Sequence, residues 1–175
     1  PFNSEPFFNF ANCYKTLADY PNAIRNYQRA IELKPNNIAA LNNLGNVFMM
    51  LDDYDNAIKA FTTAAKISPK SAPILSNAGR AFKAQGDYIT AIMHFERAIS
   101  IDGTVVEVFL DLAMCHRLIG NPEEAKTIYE VITTQAPENL EAHINFGNVL
   151  FETGEYESAI AHFERAIDIN PDFSV

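Results

Sequence analysis

The segments Ala91-Ile-Met-His-Phe-Glu-Arg-Ala-Ile99 and Ala159-Ile-Ala-His-Phe-Glu-Arg-Ala-Ile167 differ at one residue and start 68 positions apart, twice 34. Leu41-Asn-Asn-Leu-Gly-Asn-Val47 is echoed by His143-Ile-Asn-Phe-Gly-Asn-Val149 at three times 34. Self-similarity at a period of this size marks a repeat array, in which one supersecondary unit recurs. A strict 34-residue cut divides the chain into 4–37, 38–71, 72–105, 106–139 and 140–173 without insertion or deletion. Residues 1–175 therefore read as a single array.

Places within a repeat, numbered here as slots, follow a physical logic. Slot 8 is small (Ala11, Gly45, Gly79, Ala113, Gly147) and slot 20 is always Ala (Ala23, Ala57, Ala91, Ala125, Ala159), so two helices can approach closely. Slot 24 is always aromatic (Tyr27, Phe61, Phe95, Tyr129, Phe163) and supplies most of the buried area per repeat. Slot 32 is Pro35, Pro69, Gly103, Pro137 and Pro171, residues that stop a helix. A second break lies at Gly86-Asp87, Gly120-Asn121-Pro122 and Gly154-Glu155, pairing a helix C-terminus with the start of the next helix. Apolar residues between the breaks keep helical spacing, as at Ala57, Ile58, Phe61, Ala64 and Ala65. Each repeat is expected to be helix, turn, helix, over roughly slots 2–14 and 18–31.

This pattern of Leu, Gly, Tyr, Ala, Phe, Ala and Pro at fixed slots resembles the tetratricopeptide repeat (TPR) family, over 170 of the 175 residues. The family's Trp at slot 4 is Phe7, Leu41, Leu75, Phe109 and His143 here. The fourth repeat departs most, with His116 at the Tyr slot, Ile132 at slot 27 and Thr133 beside it, and is expected to pack more loosely. The resemblance implies an all-α, right-handed superhelical solenoid, with first helices lining a concave groove. Stacking is also forced on physical grounds, because one hairpin cannot bury its own apolar face. Pro1 falls on slot 32 of a preceding repeat, and Ser174 and Val175 would open a sixth, so a segment of a longer array is expected.

The resemblance places ligands in the groove. Slot 6 reads Asn9, Asn43, Asn77, Asp111 and Asn145; slot 9 reads Asn12, Asn46, Arg80, Met114 and Asn148. Three residues apart, these slots share a helix face. An Asn amide both donates and accepts, so rows of amides suit the N–H and C=O groups of an extended peptide. The rows are similar to the asparagine ladder of O-GlcNAc transferases and to the groove asparagines of peroxisomal targeting-signal receptors. Arg80, Lys83 and Arg117 are expected to form a basic patch for an acidic segment, unless they belong to a salt-bridged face. Met49, Met50, Leu110, Met114, Ile144 and Phe151 add apolar places on the same helices. Chaperone-binding TPRs grip a carboxylate with Lys, Asn, Asn, Lys and Arg at five set slots. Here those places hold Phe8, Asn12, Asn43, Pro73 and Asn77 from the first repeat, and no later start supplies the cations. Hsp70 and Hsp90 tails are not expected partners.

A formal charge of −9 and a pI of about 4.8 argue against nucleic acid and anionic membrane surfaces. No run approaches the length of a spanning helix. There is no phosphate loop, Cys-x-x-Cys or His-Glu-x-x-His, so no catalysis, cofactor or metal is expected. His94 and His162 share slot 23 on faces read as exposed, and His116 and His143 read as core fillers. Cys13 and Cys115 share slot 10 three repeats apart, too far for a disulfide, which suits a reducing, cytoplasmic compartment. The leading reading is an interaction scaffold that binds an extended peptide or partner segment. The alternatives are the substrate-recruiting arm of a larger enzyme such as a glycosyltransferase, and a module that self-associates end to end or through its convex face.

Overall fold

The computed structural model describes residues 3–171. Pro1, Ser174 and Val175 lie outside them. Among the described residues there are ten α-helices and no strand. They are α1 (Glu5–Thr16), α2 (Tyr20–Leu33), α3 (Ile38–Met50), α4 (Tyr54–Ile67), α5 (Ala72–Gln85), α6 (Tyr88–Ile101), α7 (Val106–Leu118), α8 (Pro122–Gln135), α9 (Leu140–Glu152) and α10 (Tyr156–Ile169). The second helices begin and end one slot earlier than expected. An acidic or amide side chain just before the helix takes the exposed N–H groups at several starts: Asp19 accepts from the Asn22 N–H, Asn37 from Ala40, Asp53 from Asn56 and Asn139 from Ala142. Slot 15 takes a left-handed backbone in every repeat. Gly86, Gly120 and Gly154 adopt it readily, whereas Ala18 (φ 57°) and Asp52 (φ 55°) do so against their side chains.

The chain forms two compact units, Pro1–Asp87 and Tyr88–Val175. In the first, α1 packs on α2 and α3 on α4 as hairpins, with α2 against α3 and α4 against α5. In the second, α7 pairs with α8 and α9 with α10, with α6 against α7 and α8 against α9. The small slot 8 and the aromatic slot 24 meet inside a hairpin. A Cβ added to Gly45 would lie 2.6 Å from the Phe61 ring, and one on Gly147 would lie 2.6 Å from Phe163. At that distance the ring would have to shift to admit a methyl group.

The fourth repeat is not loose. Tyr129 and Ile132 are buried in one cluster with Ala113, Phe146 and Val149. Its departure from the pattern shows in polar atoms instead. The Tyr129 hydroxyl and the His116 Nδ1 are buried with no hydrogen-bond partner among the described residues. Both cysteines are free thiols, Cys13 exposed and Cys115 buried. No helix among the described residues is long and apolar enough to cross a membrane.

Candidate functional site

The first helices present slots 6 and 9, and the asparagines there divide into two groups. In the first unit Asn43 on α3 donates from Nδ2 to Asn12 Oδ1 on α1 (3.0 Å), and the same oxygen accepts from the Tyr27 hydroxyl (2.6 Å). One step on, Asn77 on α5 donates to Asn42 Oδ1 on α3 (2.9 Å). These amides tie successive first helices together. Asn12 also satisfies a phenol that burial holds above its ordinary pKa. They are structural before they can be anything else.

The other group makes no side-chain hydrogen bond among the described residues: Asn9, exposed, and Asn46, Asn145 and Asn148, half-buried. The sequence contains the reason. Tyr at slot 24 carries a hydroxyl that needs an acceptor, and Asn12 above Tyr27 is that acceptor. Phe61 and Phe163 carry none, so Asn46 and Asn148 above them have no such duty. In the fourth repeat the logic fails. Met114 stands where Asn12 stands in the first, and the Tyr129 hydroxyl is left unpaired. Burial raises the Tyr129 phenol far above its usual range, opposed by the nearby positive charge of Arg117.

Of the residues expected to form a basic patch, Arg117 makes an ion pair. Arg117 on α7 donates from Nε to Glu152 Oε2 on α9 (2.9 Å) and from a terminal nitrogen to Oε1, a two-pronged bridge that holds the Glu152 carboxyl below its ordinary pKa. It also reaches the Met114 sulfur at 3.9 Å. Arg117 is therefore not an uncommitted cation. Arg80 and Lys83 are half-buried one turn apart on α5, and both are engaged in interactions of their own. Asp111 is likewise half-buried and engaged.

The histidines also differ from expectation: His94 and His162, both read as exposed, are half-buried. His143 is buried, as a core filler should be. His162, read as exposed, is half-buried against it: the two Nδ1 atoms lie 2.9 Å apart, and the His162 ring lies 4.3 Å from that of Phe146. His143 Nε2 lies 3.1 Å from the Pro137 carbonyl, which can only accept. A neutral His143 would carry its proton on Nε2 and accept at Nδ1 from His162. Nothing at slot 23 taken alone announces this, because the partner sits 19 residues away. No group of three or more His, Cys, Asp or Glu residues that could hold a metal occurs among the described residues.

Hairpins of 34 residues, with small-on-aromatic contacts and first helices laced by amides, define a helical-repeat scaffold. Family profiles agree: "TPR repeat" matches residues 12–52, and "Tetratricopeptide repeat" matches 37–104, 82–143 and 140–173. The chain belongs to the tetratricopeptide repeat family. Among solved structures it is similar to a MamA protein, at 20% identity over 98% of this chain and 97% of that one, with a TM-score of 0.90. It is similar to YrrB, described as a TPR protein with an unusual peptide-binding site, at 25% identity over 97% and 88%, with a TM-score of 0.84. It is also similar to Pseudomonas aeruginosa PilF, at 19% identity over 95% and 76%, with a TM-score of 0.80. A search of curated proteins finds no match.

Proposed function

We propose that the chain is a protein-interaction scaffold whose first helices bind an extended peptide segment of a partner through its backbone. The observation that carries this reading is that each unit has uncommitted, half-buried amides on its first helices: Asn46 in the first, and Asn145 and Asn148 in the second. A half-buried amide without a partner is a group whose hydrogen bonds remain to be made, and an extended strand offers a matching donor and acceptor at each residue. In the first unit Asn12, Asn43 and Asn77 do not contact the ligand first, since each already carries a bond between helices. Arg80 and Lys83 in the first unit, and Asp111, Met114 and Arg117 in the second, then tune which side chains each unit accepts, and Met tolerates varied shapes. The description of YrrB as peptide-binding favours the same reading.

The test is selection of unstructured peptides on the parent chain and on the triple variant Asn46→Ala, Asn145→Ala, Asn148→Ala. The variant is expected to keep its thermal midpoint and lose binding about tenfold or more, as loss of several hydrogen bonds requires. Equal binding by a folded triple variant would remove the amides from the site.

A further inference from the structure

An open crevice of about 560 Å3 lies between α2 and α4, on the far side of α3 from the amides. Leu41, Leu44 and Phe48 form its floor, and Ile31 and Ala60 line its walls. At 100° per residue these α3 positions, slots 4, 7 and 11, face away from slots 6 and 9. It is therefore a different surface from the one just described.

A small residue lies at the opening. Slot 23 is Ala60 here, against Asn26, His94, Ile128 and His162 elsewhere. In the last hairpin the corresponding floor and wall are His143, Phe146 and His162, and the two imidazoles bond across at 2.9 Å. The positions that the His pair holds there are Leu41 and Ala60 here. The volume suits an inserted side chain on an apolar floor, the arrangement typical of an anchor site.

Charge indicates what fits. Pro1–Asp87 holds nine Lys and Arg against seven Asp and Glu, a net +2, whereas Tyr88–Val175 holds four against fifteen, a net −11. The acidity of the protein therefore lies wholly outside the unit that carries the crevice. At the rim Glu32 is held by Arg29 at 2.7 Å. The Lys59 ammonium has only the neutral Asn56 side chain at 3.4 Å among the described residues. An acidic partner would gain a cation that no carboxylate of this unit neutralises.

We infer that the α2–α4 crevice is a second docking site, which takes an acidic segment of a partner protein and seats one of its aliphatic or aromatic side chains over Leu41, Leu44 and Phe48, against Ala60. The segment is defined by its flanking carboxylates and its single apolar anchor. The site operates whether or not the amide surface binds peptides.

The test uses an array of short synthetic peptides with acidic, neutral or basic flanks and Phe, Leu or Ala at the centre. Binding is followed by fluorescence anisotropy and by amide shifts of the whole chain. Peptides with acidic flanks and a Phe or Leu centre are expected to bind and to move Leu44, Phe48 and Ala60. Ala60→Ile fills the crevice with the residue that slot 23 carries as Ile128 in α8, so the fold accommodates it; it should weaken binding about tenfold, as should Lys59→Glu. Asn145→Ala should leave this binding unchanged. The inference is overturned if no peptide binds, if basic flanks bind as well as acidic ones, or if Ala60→Ile has no effect. It is overturned equally if shifts fall at Asn46 and Asn148, which would support the amide surface alone. Sedimentation of the parent as a dimer that Ala60→Ile disperses would make the occupant a second copy and also overturn it.

Discussion

At the scale of single residues, the same aromatic slot has opposite consequences in two repeats. The Tyr27 hydroxyl is bonded to Asn12 at 2.6 Å, while the Tyr129 hydroxyl is fully buried and unpaired. A net hydrogen bond contributes about 1 kcal/mol, whereas a buried unsatisfied hydroxyl costs about 1–3 kcal/mol. Tyr27→Phe should therefore destabilise the chain by about 1 kcal/mol, and Tyr129→Phe should stabilise it by a similar amount. Urea unfolding of the two variants beside the parent checks the difference in sign. The slot-8 glycines give a second residue-scale expectation. Gly45→Ala puts a methyl group within 2.6 Å of the Phe61 ring, and overpacking of this kind costs about 1–3 kcal/mol. The same denaturation experiment measures it.

At the scale of the element, hairpin turns and helix pairs carry the expectations. Ala18 joins α1 to α2 in a left-handed conformation that costs an L-residue about 1–2 kcal/mol. Ala18→Gly gives slot 15 the residue it has at Gly86, Gly120 and Gly154. Part of that strain should be recovered, about 0.5–1 kcal/mol after the greater freedom of glycine in the unfolded chain is counted. A higher thermal midpoint is the sign to look for. The α9–α10 hairpin carries a pH dependence. Burial, followed by the charge of His143, lowers the pKa of His162 below its ordinary 6.5. The folded state thus resists a proton that the unfolded chain accepts. The stability this group contributes is complete above pH about 6.5 and is lost as pH falls through the lower, folded value, at no more than about 1.4 kcal/mol per pH unit for one proton. Arg165 and Glu138 are paired with each other at the same end of the hairpin. His162→Phe should flatten the stability curve between pH 7 and 5, and a curve as steep as that of the parent would rule the imidazole out as its cause.

At the scale of the whole molecule, the 34-residue period made the fold legible before any coordinates. Ala at slot 20, aromatic residues at slot 24 and Pro or Gly at slot 32 are local signals repeated five times, so errors at one repeat are corrected by the others. The amide rows were legible as positions but not as duties. Asn43 and Asn46 look alike in sequence, and what separates them is whether a hydroxyl or amide of the neighbouring helix lies within reach. The Tyr or Phe choice at slot 24 foretells part of this, as Asn12 over Tyr27 shows, but the bond from Asn77 to Asn42 has no such marker. The Arg117–Glu152 bridge and the His143–His162 pair were hidden for a similar reason: the first joins successive hairpins and the second joins the two helices of one hairpin, so neither shows at a single slot. The central claim is that uncommitted amides on the first helices read a peptide backbone rather than particular side chains. Its most direct test is a positional scan of one selected peptide in which each residue is in turn N-methylated or replaced by alanine, with affinity measured on the parent chain. The account predicts that N-methylation at alternate positions weakens binding about tenfold or more, while alanine at those positions is tolerated. Affinity that survives N-methylation throughout and collapses with one or two alanines would contradict it.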